Sequence, residues 1–519
     1  MLRVALCAAI LAPAFAAEPL LGRSPRYCNP LPIVSGGGVS AAGDVTVICD
    51  NGQYYMYCTG GGAWVSDDLL HWTLHRVDNV PVAPDVVKYN GAFYLCGNSG
   101  PLFKADNPLG PFTRLGDWPG KTNGWYGPFD MHLFIDDGTK PFLYYPGRGV
   151  TGIFVVELDP NDLTKFTGRP RRLLTFNQDH VWERYGEMNE YTDVAWIEGP
   201  WMLKYHGTYY LQYSASGTQW KTYASGYYTA KSPMGPFTYA PNNPLLRRTE
   251  GIVTGTAHGS IVEGPDKRLW QFYTIVLSNP PGGRRIGMDP VAFDQAGNMS
   301  VRITDTPQWA PGVVADPAKD GDSGSIPVSI NKVRVMNSLS RSSSEQPGRF
   351  AAYAVDNSSG TWWEPSPEDA QPMLTLDLGP ATRFDVSQLF TIDSVRLLLT
   401  GGRGSGGRGR GAEPTPATAT EVNAAPVASS APARPPTDAY QYKIEVSTDG
   451  TSFATALDQS TNAMQRNTIF EEIPPARCRF VRLTMVNWPH ATPLGVIEFT
   501  VFGRPTGSLP AVQPVSYDP

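Results

Sequence analysis

The 519-residue sequence is short of cysteine, of net charge and of long apolar runs, and each shortage removes a class of protein. Of its six cysteines, Cys7 lies at the extreme N-terminus, leaving Cys28, Cys49, Cys58, Cys96 and Cys478, an odd number with neither CxxC nor Cys/His spacing. That pattern indicates no zinc centre and allows at most two disulfides. A net charge of -6, with no basic run interleaved with aromatics, offers nothing to a phosphate backbone, so nucleic acid is excluded as a partner. No segment approaches the roughly 20 apolar residues that span a bilayer, so no membrane span is expected. The shorter apolar run in "MLRVALCAAILAPAFAAEP" follows Arg3 and ends at Ala14-Phe15-Ala16. This is the pattern of a secretory signal over residues 1–16, with a mature chain beginning near Ala17 and a secreted or periplasmic destination. The sequence leaves the oligomeric state open.

What is abundant is turn formers and aromatics: 53 Gly, 48 Pro, 24 Tyr, 21 Phe and 13 Trp. Many short strands are favoured over helices, and the fold class is all-β. A turn followed by an aromatic-rich strand recurs five times: "NGQYYMYCTG" at 51, "NGAFYLCGNS" at 90, "DGTKPFLYYPG" at 137, "HGTYYLQYSA" at 206 and "DKRLWQFYTI" at 266. Asn-Gly and Asp-Gly between apolar runs predict type I′ hairpins. Spacings of 39 to 69 residues leave room for about four strands per unit, the size of a propeller blade. Five units predict a five-bladed β-propeller over residues 28–305, with a sandwich of similar hairpins as the alternative.

Residues 306–325, rich in Pro, Gly and Asp, read as a linker. Alternating strands follow: "MLTLDLG" at 373, "DSVRLLL" at 393, "YKIEVSTDG" at 442, "RFVRLTM" at 479 and "GVIEFTVFG" at 495. Between them residues 401–436 are a Gly/Ala/Pro/Thr stretch without the apolar content for a core, and are expected to be a disordered insertion. The succession "AVDNSSGTWWEP", "LTLDLG", "IEVSTDGTSF", "RFVRLT" resembles the discoidin, or coagulation factor 5/8 type C, family. The resemblance implies a jelly-roll, galactose-binding-like β-sandwich over residues 326–503 of a kind that often binds sugars. Trp362, Trp363 and Trp488 are then candidates for stacking on a sugar face, or else sandwich core. In the first case the unit retains the protein on a polymer and is dispensable for turnover. In the second it buttresses the propeller.

In a propeller the first strand of each blade lines the axis, so carboxylates shortly ahead of the hairpin turns are those that can converge. Asp44 precedes "VTVICDNG", Asp130 precedes "MHLFIDDG" and Glu198 precedes "GPWMLKYHG". Glu198 stands between Trp196 and Trp201, an apolar setting that raises a carboxyl pKa and suits a general acid. Two opposed carboxyls across a glycosidic bond, one acid and one base, are the minimum for hydrolysis.

The stretches "GDVTVICDNGQYYMY", "APDVVKYNGAFYL", "FDMHLFIDDGTKPFLYY", "IEGPWMLKYHGTYYLQYS" and "GTAHGSIVEGPDKRLWQFYT" together resemble glycoside hydrolase family 43. The resemblance implies a five-bladed propeller and an inverting mechanism with Asp44 as general base, Asp130 as the residue that tunes the acid, and Glu198 as general acid. His258, flanked by Gly255 and Gly259, matches a central histidine that sits beside an ion or water. The Asp-Pro usual at the base and the tuning residue is Asp44-Val45 and Asp130-Met131 here. Trp64, Trp125, Trp196 and Trp201 are candidates for stacking on substrate or for blade core. No metal or cofactor is needed for the chemistry, with a structural Ca2+ open near the axis or in the C-terminal unit. The implied substrates are α-L-arabinofuranosides or β-D-xylosides of plant cell wall polysaccharide, cleaved from chain ends. A galactofuranoside or galactan hydrolase with the same three acids, and a non-catalytic carbohydrate-binding propeller, are the alternatives.

Overall fold

A computed structural model describes residues 26–34, 42–98, 100–119, 129–147, 149–278, 283–330, 341–379, 389–400, 435–490 and 493–507. The signal-like residues 1–16, Trp125 and nearly all of the 401–436 insertion lie outside them. The described chain is all-β, its helices confined to single turns such as Pro317–Asp320.

Five antiparallel sheets follow one another along the chain. Their leading strands are Gly43–Asp50, Asp85–Tyr89, His132–Asp136, Glu198–Tyr205 and Ala257–Glu263. Four sheets have four strands, and the third gains a fifth because Arg171–Thr175 also pairs with Gly152–Asp159. The hairpin signals act as expected: Asn51-Gly52, Asn90-Gly91, Asp137-Gly138 and His206-Gly207 all have positive φ, between 47° and 81°.

Aromatics from those hairpins fill the spaces between sheets. Tyr57 and Phe93 share a cluster between the first and second sheets, Tyr94 and Leu133 between the second and third, and Tyr144 and Met202 between the third and fourth. Tyr210 and Ile275 join the fourth to the fifth, and Met56 and Phe272 join the fifth back to the first. Each buried ring removes about 150–250 Å2 from water. Every neighbouring pair of sheets therefore shares a core, and the fifth sheet shares one with the first.

The C-terminal residues form two more antiparallel sheets. One runs in the order Ile326–Pro327, Val496–Pro505, Phe390–Leu399, Thr468–Cys478. The other runs Arg341–Ser342, Met373–Asp377, Phe480–Asn487, Gln441–Ser447, Ala454–Gln459. Leu374, Leu376, Val395, Leu397, Ile444, Leu483, Phe499 and Val501 from both sheets make one apolar cluster.

Residues 306–325 are a packed strap rather than a free linker. Gln308–Trp309 pairs with Arg26–Tyr27, and Ser323 and Ser325 are buried. The physical reason is a seam between the five-sheet array and the C-terminal unit that needs polar partners. Arg26 donates to Asp393 at 3.2 Å, to Glu472 at 2.5 Å and to Ser325 at 3.2 Å. Arg396 donates to the carbonyls of Asn29 and Asp305, both at 2.7 Å. Around these ion pairs Leu398 and Ile497 of the C-terminal unit join the apolar cluster of Tyr210 and Ile275.

Removing one partner of a buried ion pair leaves an uncompensated charge at about 3–5 kcal/mol. Arg26→Met is therefore expected to destabilise the whole chain by roughly that amount in guanidinium unfolding, with both units melting together. A change within experimental error would show that the seam is not a stabilising interface.

Candidate active site

The leading strands share one backbone device. Asp44, Ala83, Asp130 and Gly199 have φ of 52°, 47°, 43° and 55°, and each stands seven residues ahead of the first turn residue of its sheet, Asn51, Asn90, Asp137 or His206. In the fifth sheet the corresponding residue is His258, with φ of 36°. The register of the leading strand slips at three of these points, between Gly43 and Thr46, Glu198 and Trp201, and Ala257 and Gly259. A left-handed non-glycine residue costs about 1–3 kcal/mol and a bulge re-aims the side chains beside it. Here the backbone is fixed from neighbouring strands: the Thr274 hydroxyl accepts the Asp44 N–H at 2.7 Å and donates to the His258 carbonyl at 3.0 Å. The His258 N–H donates to Ser214 Oγ at 2.9 Å.

The side chains so placed fall into two opposite electrostatic states. Asp44 is buried, which alone pushes its carboxyl up. Its Oδ2, however, accepts from Arg284 Nη1 at 2.6 Å and Thr59 Oγ1 at 2.6 Å, and its Oδ1 lies 3.2 Å from His258 Nδ1. The Arg284 guanidinium and then His258 outweigh burial and hold Asp44 well below the usual carboxylate range. Burial opposes the charge on His258, but the contact with Asp44 and the fields of Asp130 and Glu198 raise it to about 9. The same Asp44 charge raises Arg284 against its own burial.

Asp130 and Glu198 go the other way. Burial raises both, and for Asp130 the charge of Glu198 adds to it. His258 opposes both shifts, and Glu198 also accepts from Tyr223 OH at 2.8 Å and Trp196 Nε1 at 2.5 Å. Oxygens of Asp130 and Glu198 and a ring nitrogen of His258 lie within 4.8 Å of one another. Burial and their mutual charge both disfavour ionisation of this pair, so it takes up a proton more readily than Asp44, which its cations hold ionised. The Trp196 ring, 41% exposed, marks the solvent side of Glu198.

Of the residues singled out from sequence, Asp44, Asp130, Glu198 and His258 thus lie in one cluster, with Trp196 beside it. The other described candidate tryptophans do not join them. Trp64 is fully buried between the first and fifth sheets, its Nε1 donating to the Val34 carbonyl at 2.9 Å, which removes it from any substrate. Trp201 lays its ring against His132, at 5.6 Å between centroids, and packs on the seam cluster. Trp363 and Trp488 belong to the core of the C-terminal unit, so neither presents a stacking face. Trp362 carries the Arg349 guanidinium at 3.6 Å over its ring and packs against the seam.

Arg284, Tyr223 and Thr59 were not singled out, and nothing local marks them. Asp85 was within reach, since it too stands shortly ahead of a hairpin. It is buried and links three leading strands, accepting from Thr46 Oγ1 at 3.2 Å and the Leu133 N–H at 2.8 Å.

Comparison with known proteins shows the family of the five-sheet region. Residues 39–299 match the model of the glycosyl hydrolases family 43. A β-D-galactofuranosidase of Aspergillus niger is 27% identical over 295 residues, 49% of this chain and 80% of that protein. An arabinoxylan arabinofuranohydrolase of Bacillus subtilis is 32% identical over 216 residues, 34% of this chain and 40% of that protein. Among solved structures, a thermostable family-43 glycoside hydrolase is 28% identical and superposes with a TM-score of 0.47, covering 55% of this chain and 99% of its own.

A Cβ on Gly199 would lie 2.7 Å from His258 Cγ, and its φ of 55° disfavours any side chain. Gly199→Ala is expected to displace His258 and lower activity at least tenfold, with His258 titrating nearer 6.5 by NMR because its contact with Asp44 is lost. Wild-type titration and turnover in this variant would show that His258 is not held by this packing.

Proposed function

The chain belongs to glycosyl hydrolase family 43 and is a glycosidase, and from that premise we propose that it is a secreted or periplasmic inverting enzyme removing terminal sugars from plant cell wall polysaccharide. The observation that supports the mechanism is the unequal pairing within one site: Asp44 meets Arg284 and His258, while the buried Asp130 and Glu198 lie together, where burial favours a retained proton.

Glu198, on the Trp196 side, protonates the glycosidic oxygen as the bond to the leaving group breaks. Asp44 accepts a proton from water attacking the opposite face, and inverting sites separate the two carboxyls by about 6.5–9.5 Å to admit that water. A carboxylate held well below the usual range is a weak base, but the water becomes acidic as it bonds to an oxocarbenium-like centre, so orientation matters more than basicity. Asp130 keeps the proton on the pair. Trp196 is the platform for the sugar ring.

α-L-Arabinofuranosides and β-D-xylosides are the proposed substrates. The likeness to a named β-D-galactofuranosidase over most of that protein's length favours galactofuranosides as the second reading. We read the cyclic five-sheet array as a five-bladed β-propeller and the C-terminal unit as a discoidin-like β-sandwich. The buried Trp363 and Trp488 and the polar seam support a buttressing role for that unit rather than sugar stacking. A bound Ca2+, a hard cation that prefers oxygen ligands, suits the axial cluster poorly, since both Glu198 oxygens already accept hydrogen bonds and the third group is an imidazole.

Nitrophenyl arabinofuranoside, xyloside and galactofuranoside distinguish the substrates, with hydrolysis of one expected and of none contradicting the proposal. Glu198→Gln should lower turnover by about 10²–10⁴-fold. Because the pair's pKa is raised, the acid form is fully present at low pH and lost only as pH rises through the raised value. The alkaline limb of kcat/KM should therefore lie well above the ~4.3 of an ordinary glutamate. A limb at that ordinary value would place the proton elsewhere.

A further inference from the structure

Arg284 and Arg285 open the third strand of the fifth sheet, Arg284–Phe293, where consecutive side chains point to opposite faces. Arg284 faces the site. Its guanidinium lies against Gly43, where a Cβ would sit 2.7 Å from Nε, and its Nη1 reaches Asp44. Arg285 faces the C-terminal unit and is buried there. Its Nε donates to Thr468 Oγ1 at 3.0 Å and its Nη2 to the Leu399 carbonyl at 3.4 Å. A third contact turns back, with Nη1 donating to the Arg284 carbonyl at 2.9 Å. Asn467 and Thr468 border the same small seam void as Arg284 and Arg285, together with Val34 and Trp64.

We propose that Arg285 is a positioning residue through which the C-terminal unit holds Arg284, and with it the Asp44 carboxylate, in working geometry. The inference rests on the reading of Asp44 as the base. Arg284 stands at the end of its strand, next to the hairpin back from Val276, where a long side chain is least constrained by the ladder. Arg285 fixes the carbonyl of that same residue to two groups of another unit. Both C-terminal anchors belong to long strands or their ends: Thr468 begins Thr468–Cys478, and Leu399 closes Phe390–Leu399. The docking of the C-terminal unit is thereby read out at the catalytic centre, two residues from the seam. On the seam side Arg285 and Tyr440 act on each other, so a change at Arg285 is felt by Tyr440 as well, whereas the groups that face Asp44 from the site are Arg284, His258 and Thr59, none of which is replaced by changing Arg285.

The test compares full-length wild type, Arg285→Ala, Arg285→Lys and Thr468→Val. On the responsive nitrophenyl glycoside, Arg285→Ala should lose about 10–100-fold in kcat, the scale of a misplaced catalytic group, with KM little changed. The acidic limb in kcat/KM should move up toward the ~3.9 of an ordinary aspartate, because a loosened Arg284 depresses Asp44 less while His258 still faces it. Arg285→Lys should recover part of both effects and Thr468→Val show a smaller loss in the same direction. A merely structural role would lower activity in proportion to the unfolded fraction and leave the limb where it was, and that result would overturn the proposal. A second readout does not depend on turnover: the Asp44 carboxyl resonance in ¹³C-aspartate-labelled protein, assigned by its loss in Asp44→Asn. It should titrate about one unit or more higher in Arg285→Ala than in wild type. Equal titration would overturn the inference even if no tested glycoside is cleaved, an outcome that would count separately against the functional reading.

Discussion

The Arg284–Asp44–His258 contact is the constraint on which the rest of the site depends. One buried carboxylate must stay ionised only a few residues' width from two others that must share a proton, and water cannot arbitrate, because all three acids are buried. The protein resolves this with two cations on one side. Arg284 and His258 both face Asp44, whereas Glu198 shares only His258 and otherwise accepts from the neutral donors Tyr223 and Trp196. Remove the cations and the three carboxyls become equivalent, each pushed upward by burial, with no group left to act as base.

The fold serves that arrangement through a repeated irregularity. A left-handed residue in or just ahead of each of the five leading strands turns the backbone there, and in the first, fourth and fifth sheets the register slips beside it. Different residues then occupy equivalent positions: an aspartate in the first and third sheets, a histidine in the fifth, and in the fourth a glycine that follows the glutamate and leaves room for the histidine ring. The cost of the strained backbone is offset by the cores shared between neighbouring sheets, which make it difficult for any one leading strand to relax alone.

Much of this was legible in the sequence because it is local. Asn-Gly and Asp-Gly turns state their own conformation, and an acid a short distance ahead of a hairpin turn states its place near the start of the leading strand, which is how Asp44, Asp130 and Glu198 could be picked out. Arg284 could not be, since its partner lies 240 residues away and an arginine in a strand carries no signal of what it meets. Tryptophans were the least legible. An indole that fills a core and one that offers a sugar a flat face look alike in sequence, and Trp64, Trp363 and Trp488 proved to be core while Trp196 did not. At 306–325 the sequence shows a linker but not its packing: Pro, Gly and Asp suit a loose connection and equally suit a tightly turning segment whose polar groups are taken up by Arg26 and Arg504. The strand Thr468–Cys478 went unrecognised because Pro474-Pro475 interrupts it, although it carries the Arg285 anchor.

The central claim is that an ionised Asp44 and a protonated Glu198 act from opposite faces of the sugar. The anomeric configuration of the first-formed product, followed by proton NMR during hydrolysis before mutarotation equilibrates it, tests this most directly. The account predicts the inverted anomer. A product that first appears with the configuration of the substrate would mean a covalent intermediate on one of these carboxylates, and would contradict the roles assigned to both.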